Sequence, residues 1–125
     1  MSNVSPSFVA GAVTLALVLG MTGTVAARGH PLNEDASLAL LVRALKYDKV
    51  YAHRISLDCV TYNTEETTAA YFQFVLRENH TPPCGGDPET SPVVDRYRVY
   101  RASGKIQWLD KIEDSWQPYT PAKIK

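Results

Sequence analysis

Residues 70–77 read Ala-Tyr-Phe-Gln-Phe-Val-Leu-Arg, an aromatic and β-branched run with the composition of a β-strand. In an extended chain, successive side chains point to opposite faces. One face of this strand carries Phe72, Phe74 and Leu76, and the other carries Tyr71, Gln73 and Val75. Because both faces carry bulky side chains, we predict that the strand is central in a sheet.

The sequence on both sides predicts further strands. Upstream, residues 55–60 alternate in the period of a strand, and residues 63–68 form a polar turn. Downstream, residues 93–101 alternate again, with Tyr97 and Val99 on one face. Ala102-Ser103-Gly104 then makes a tight turn, in which Gly104 suits a positive φ, and residues 105–109 form the returning strand.

A helix precedes these strands. Asn33 is a good N-cap, and two acidic residues follow in the first turn, where carboxylates suit the helix dipole. Apolar residues then recur at intervals of three and four, at Leu38, Leu41, Val42 and Leu45, followed by Val50. We predict an amphipathic helix from about Glu34 to Tyr51 or His53.

The order of elements predicts the fold class. One helix is followed by four strands joined by short connections, which implies an antiparallel sheet with the helix on one face. The class is α+β, with one disulfide. Beyond the fourth strand, Trp116 and Tyr119 are candidates to close the last edge, and Pro118 and Pro121 end the regular structure.

Residues 1–27 are predicted to be a cleavable signal peptide. They contain no Lys, Arg, Asp or Glu, and the apolar run from Phe8 to Met21 is too short to span a bilayer comfortably. Val25 and Ala27 fit the pattern of small residues before a cleavage site. Residues 28–125 then form a single small domain that is periplasmic or secreted. The alternative is an uncleaved membrane anchor.

Cys59 and Cys84 are the two cysteines of the chain, and both lie in the predicted exported domain. In an oxidising compartment, two thiols of a small domain usually pair, so we predict a disulfide. The alternative is a metal pair or a reactive thiol. His53 and His80 do not complete a recognisable ligand set with them.

Residues 79–92 contain four prolines and two glycines, which predicts a long loop without regular structure. A disulfide at Cys84 would fix its middle. Rigid loops on a scaffold are common binding elements. We therefore predict a candidate binding loop made of Pro83, Gly85, Gly86, Asp87 and Pro88. The alternative is a structural crossover between strands.

The charge pattern bears on possible partners. The chain is formally neutral, so neither nucleic acid nor an anionic membrane is a predicted partner, and cleavage would leave no stable membrane anchor. A second candidate surface is a basic and aromatic strand face made of Arg96, Arg98 and Tyr100. The alternative is the polar solvent face that antiparallel sheets usually carry.

No catalytic, metal or cofactor site is predicted. The acidic and histidine residues near Cys84 (His80, Asp87 and Glu89) lie among prolines that restrict their convergence on a metal. The serines stand in no recognisable nucleophile turn. The adjacent pairs Glu65-Glu66 and Glu113-Asp114 lie in polar turns, whereas glycosidase carboxylates face each other across a cleft.

The predicted helix followed by a meander that ends in Arg98-Val99-Tyr100-Arg101-Ala102-Ser103-Gly104-Lys105-Ile106 resembles the PepSY and cystatin-like group of small exported domains. PepSY domains often end in a comparable turn and a return strand beginning Lys-Ile or Lys-Val. Two features depart from that group: the Cys59–Cys84 bridge and the proline-rich loop. The resemblance implies a periplasmic protein that inhibits or binds another protein, and it identifies no site residues.

The sequence therefore predicts a non-enzymatic exported binding protein. Its partner would be another protein, an exported enzyme or toxin, and its role that of an inhibitor or an immunity protein. The alternative is a structural or accessory envelope protein that binds through the basic and aromatic strand face. No oligomeric state is predicted.

Overall fold

The structure, a computed structural model, describes residues 29–124. The predicted signal peptide, residues 1–27, lies outside the described residues. The fold is α+β, with helices α1 Glu34–Tyr47 and α2 Pro121–Ile124 and strands β1 Val60–Thr67, β2 Tyr71–Glu78, β3 Val93–Tyr100, β4 Ile106–Asp110 and β5 Ser115–Pro118. Neither helix of the described chain has the length and hydrophobicity needed to cross a bilayer.

All five strands form one antiparallel sheet in the order β1-β2-β3-β4-β5, as consecutive strands without crossover helices predict. β2 pairs with both β1 and β3, so it lies inside the sheet as predicted. Helix α1 packs on one side, which we call the inner face, where Leu41 and Leu45 join Phe74 and Tyr97 in the core. The opposite side is the outer face.

The sheet has one strand more than the four predicted. β5 pairs with β4, and Trp116 lies opposite Leu109. The connection is a tight turn in which Asp110 Oδ1 accepts hydrogen bonds from the amides of Ile112 and Glu113. Because residues 110–115 are so polar, their sequence indicates a turn without showing that a further strand follows it.

The predicted first strand is misplaced. Residues 57–59 form a 3₁₀ turn, and β1 runs through the segment that was predicted to be a polar turn. Residues 63–67 are exposed at the edge of the sheet, so their polar side chains are compatible with a strand. The turn comes later, where Thr68 Oγ1 accepts hydrogen bonds from the amides of Ala70 and Tyr71.

Helix α1 is shorter than predicted. It begins where expected, since the Asn33 side chain accepts a hydrogen bond of 2.8 Å from the Ala36 amide. It ends at Tyr47 because Lys49 adopts a left-handed conformation with φ of 52°. The Val50 amide then donates to the Leu45 carbonyl, which closes a Schellman motif. Val50 is nevertheless buried, and this explains why the apolar period extends past the helix.

A buried carboxylate organises one end of the core. Asp95, on the inner face of β3, is 3% exposed. It accepts a hydrogen bond of 2.6 Å from the Tyr51 hydroxyl, which also contacts the Tyr97 hydroxyl. Lys111 Nζ lies 3.0 Å from Asp95 Oδ1, and Arg54 Nη1 lies 3.9 Å from Oδ2. A buried charge needs such partners, because an unpaired one is costly to remove from water.

This network joins three separate parts of the chain. Tyr51 and Arg54 come from the segment after α1, Asp95 from β3, and Lys111 from the turn between β4 and β5. Burial, followed by the charges of Tyr97 and Asp95, raises the pKa of Tyr51 far above its ordinary value, so its hydroxyl stays a donor. The Asp95 carboxylate therefore fixes how the helix exit meets the sheet.

We expect Asp95→Ala to lower the free energy of unfolding by at least about 2 kcal/mol, as measured by urea denaturation at neutral pH. Most of the loss should come from the Tyr51 hydroxyl, which loses its charged acceptor inside the core. The cations contribute less, because Arg54 and Lys111 are half exposed, with 45% and 56% of their side-chain surface accessible to water.

Glu113→Ala is the matched control, because Glu113 is an exposed acid in the β4–β5 turn. It should change the free energy of unfolding by less than about 0.5 kcal/mol. Equal effects of the two substitutions would contradict a central role for Asp95.

Candidate functional site

The loop between β2 and β3, residues 79–92, contains the five predicted binding residues, and all five are exposed: Pro83, Gly85, Gly86, Asp87 and Pro88. The predicted disulfide between Cys59 and Cys84 is present, with 5.6 Å between the Cα atoms. It ties the middle of the loop to the 3₁₀ turn that precedes β1. Beside it, the Asn79 amide donates a hydrogen bond of 2.8 Å to the Cys59 carbonyl.

The first half of the loop is a tight turn that contains the cysteine. The amides of Cys84 and Gly85 both donate to the Thr81 carbonyl, at 2.9 and 3.0 Å. Gly85 has a φ of 73°, a conformation that residues with a Cβ rarely adopt. The exposed prolines, Pro82 and Pro83, occupy the outside of this turn. The disulfide and the turn together hold residues 81–85 in one shape.

His80 links the loop to the end of β2. Its Nε2 lies 2.6 Å from Glu78 Oε2, and its Nδ1 lies 2.7 Å from the backbone carbonyl oxygen of Asp87. The side chain is 11% exposed, so the imidazole is largely covered although the loop around it is exposed. The hydrogen bond to Glu78, followed by the one to the Asp87 carbonyl, raises the pKa of His80 above its ordinary value.

Gly86 makes room for this histidine. It has a φ of 86°, and a Cβ placed on it would come within 2.7 Å of His80 Cδ2. A Cβ on the neighbouring Gly85 would meet nothing within 4 Å. The two glycines therefore share a backbone requirement, but Gly86 alone is also needed for close packing against the imidazole.

The second half of the loop is bonded to itself and to β2. Asp87 Oδ1 accepts from the Glu89 amide at 2.9 Å, and the Thr90 hydroxyl donates to the Asp87 carbonyl at 3.1 Å. Ser91 Oγ then donates a hydrogen bond of 2.8 Å to the carbonyl of Glu78. Every stretch of the loop is thus held by a side chain, a covalent bond or a backbone turn.

The loop does not gather metal ligands. In residues 29–124, no group of three or more His, Cys, Asp or Glu side chains is arranged to hold a metal ion. His80 faces the backbone carbonyl of Asp87 and not its carboxylate, and both imidazole nitrogens already have partners. A cleft of about 170 Å³ lies next to His80, and its lining includes Arg54 and the disulfide.

The second predicted surface lies on the outer face, where Arg96, Arg98 and Tyr100 share one side of β3 as expected from their spacing. The Arg96 Nε lies 2.9 Å from Glu65 Oε2 on β1. This ion pair lowers the pKa of Glu65 below its usual range, chiefly through the hydrogen bond from Arg96. The charge of Arg96 is therefore balanced within the sheet.

Arg98 is enclosed by other side chains of the outer face. Its guanidinium lies 4.4 Å from the ring centre of Tyr71 and 4.0 Å from that of Trp116. Its Nε donates a hydrogen bond of 2.9 Å to the side-chain oxygen of Gln73. Arg98 also pairs with Glu66 at 3.8 Å. Such stacking is typical of arginine. The outer face is thus aromatic and internally compensated in charge.

Two features of the site region were not identified from the sequence. One is the role of His80, which its position in a proline-rich loop did not suggest. The other is the buried Asp95, although its spacing from Tyr97 and Val99 by even numbers of residues places it on the inner face. The alternation of β3 therefore contained a signal for a buried acid.

We expect Gly86→Ala to destabilise the protein by about 1 kcal/mol or more beyond Gly85→Ala, because the added methyl group must displace the His80 ring. Both substitutions carry the cost of an alanine at positive φ, about 1–2 kcal/mol. Urea unfolding of the two variants isolates the contact with His80. Equal destabilisation would show that the imidazole does not pack as described.

We expect replacement of both Cys59 and Cys84 by serine to lower the free energy of unfolding by about 3 kcal/mol, since the bond closes a loop with a sequence separation of 25 residues. Residues 79–92 should become the first site of cleavage by a nonspecific protease. The rate of cleavage at the β3–β4 turn, which the disulfide does not restrain, is the internal reference for the rate in the loop. Unchanged resistance of the loop would contradict the disulfide as its main restraint.

Comparisons with family models, with curated proteins and with solved structures found no match to this chain.

Proposed function

We propose that this protein is an exported, non-enzymatic binding protein that uses residues 81–90 to contact another exported protein, an enzyme or toxin, as an inhibitor or immunity protein. The observation that carries the proposal is that this segment is exposed and yet held in place. Apart from the half-buried Cys84, each residue from Thr81 to Thr90 is exposed. The restraints lie at its base, at the disulfide and at His80.

Such an arrangement favours binding energetically. Ordering one residue of a flexible chain costs about 1–2 kcal/mol, so a disordered segment of this length would lose on the order of 10 kcal/mol on binding. Here the restraints set the shape of the segment when the protein folds. More of the contact energy then remains available to the complex.

The chemistry of the segment indicates the kind of surface it fits. Its two charged side chains are acidic, Asp87 and Glu89, and they lie next to exposed prolines and glycines. A narrow loop of this kind suits a cleft whose rim carries cationic groups. An exported enzyme or toxin with such a cleft is the partner class that we propose.

The two most strongly shifted titratable groups of the described chain lie in the core. Tyr51 and Tyr97 are at most 1% exposed, and burial is the main cause of their raised pKa values. Both hydroxyls belong to the Asp95 network inside the core. These two groups therefore serve the stability of the core.

The test is capture of partners by the oxidised, exported protein from envelope and secreted fractions, with mass spectrometric identification. Pro83→Lys places a long cation on the exposed turn, and Asp87→Asn removes a charge while keeping the acceptor for the Glu89 amide. We expect each to weaken binding of the captured partner at least about tenfold, because contacts at the centre of an interface dominate affinity.

The control is the double variant Arg96→Ala with Arg98→Ala, which alters the outer face and leaves the loop intact. It should bind as the unmodified protein does. If Pro83→Lys and Asp87→Asn bind normally, the loop is not the contact surface and the proposal is wrong.

The alternative is a structural or accessory envelope protein that binds through the outer face. The observation in its favour is that the half-exposed rings of Tyr71 and Trp116 enclose Arg98, with Tyr100 packed against Tyr71. In that case the double arginine variant should lose binding, and the affinity of the unmodified protein should fall as salt is added, because exposed charges are screened.

A further inference from the structure

Both nitrogens of the His80 ring face atoms that can only accept a hydrogen bond in these contacts. Nδ1 lies 2.7 Å from the backbone carbonyl oxygen of Asp87, and a carbonyl has no proton to donate. Nε2 lies 2.6 Å from a carboxylate oxygen of Glu78. A neutral imidazole carries one N–H and can satisfy one of these acceptors. Only the imidazolium, with two N–H groups, satisfies both.

We propose that His80 is a protonation-controlled latch for the loop: the imidazolium holds the Asp87 carbonyl against the end of β2, and the neutral ring releases it. Its effect on partner binding rests on the proposed function, whereas the latch itself is a property of the loop. The His80 side chain suits this role because it bonds both to Glu78 of β2 and to Asp87 in the far half of the loop.

The neighbouring Thr90 provides the alternative arrangement. Its hydroxyl lies 3.1 Å from the Asp87 carbonyl, to which it donates, and 3.3 Å from His80 Nδ1. A carboxylate accepts a stronger hydrogen bond than a neutral carbonyl, so the neutral ring keeps the proton on Nε2, which faces Glu78, and loses the one on Nδ1. The lone pair of Nδ1 then faces the carbonyl oxygen of Asp87 and repels it. The Thr90 hydroxyl can then turn and donate to Nδ1. The Asp87 carbonyl then loses its hydrogen bonds from the ring and from the Thr90 hydroxyl, and it keeps the one from the Thr90 amide, at 3.1 Å.

The charges around the ring favour the protonated form. Glu78 faces it from β2 and Asp87 from the loop, and Arg54, which lines the adjacent cleft, is the cation on that side. The hydrogen bonds to Glu78 and to the Asp87 carbonyl raise the pKa of His80 above its ordinary value of 6.5, although partial burial opposes them. The latch is therefore closed below about pH 6.5, and it opens as the pH rises through the pKa of His80 in the folded protein.

The test is a pH titration of the full exported protein by NMR that observes the ring nitrogens of His80 and the loop amides. We expect both ring nitrogens to be mostly protonated at pH 6.5, with a midpoint above it. The amide shifts of Gly86 and Asp87 should change with the same midpoint. The amides of Ser103 and Gly104, in the β3–β4 turn, are the reference. A ring that is mostly neutral at pH 6.5, or loop amides that do not follow it, would overturn the latch.

Glu78→Gln gives a second and independent arm. Glutamine keeps an oxygen that can accept from Nε2 but removes the charge, so the midpoint of His80 should move to lower pH. An unchanged midpoint contradicts Glu78 as the partner that holds the proton.

The latch and the proposed function fail separately. Failure of the titration overturns the latch alone, and a partner that ignores Pro83→Lys and Asp87→Asn overturns the proposed function alone.

Discussion

The covalent bond between Cys59 and Cys84 determines the course of the chain between its two best-buried strands. β2 and β3 are neighbours in the sheet, yet the connection between them runs through residues 79–92, far longer than a hairpin needs. A free loop of that length would sample many shapes. The disulfide returns its midpoint to the entrance of β1, so the connection becomes two short segments that are each fixed at both ends.

The sheet separates the tasks of its two faces. The inner face buries the apolar side chains and one carboxylate, whose partners come from the helix exit and from the β4–β5 turn. The outer face balances its cations against its own acids, as Arg96 does with Glu65. Both faces therefore satisfy their charges internally. The candidate binding loop lies at the end of the sheet, and the framework determines its position.

Periodicity made most of the framework predictable, and the failures have physical reasons. The alternation of residues 70–77 and 93–101 correctly grouped the side chains that share a face, because burial on one face imposes a period of two. β1 was misplaced because an exposed edge strand has no buried face along residues 63–67 to impose a period. The predicted helix is too long because Val50 remains buried after Lys49 has turned the chain, so the apolar period continues past the end of α1.

The candidate site was predictable only in outline. Prolines, glycines and a cysteine located the loop and its covalent restraint, because these residues act through local backbone geometry. The contact of His80 with Glu78 and Asp87 depends on where the chain returns, which no local pattern specifies. Gly86 illustrates the difference. Its sequence context indicates a turn, but the close approach of the imidazole becomes evident only when the loop is folded.

The two halves of the loop respond to different conditions. Residues 81–85 are held by the disulfide and by backbone bonds to the Thr81 carbonyl, none of which titrates near neutral pH. Residues 87–90 bond chiefly among themselves, and His80 connects them to β2 through the Asp87 carbonyl. Loss of one proton therefore changes the freedom of the second half while the first half keeps its shape. Reduction of the disulfide acts in the opposite way. It removes the covalent restraint on residues 81–85 and leaves the contact between the His80 imidazolium and the Asp87 carbonyl in place.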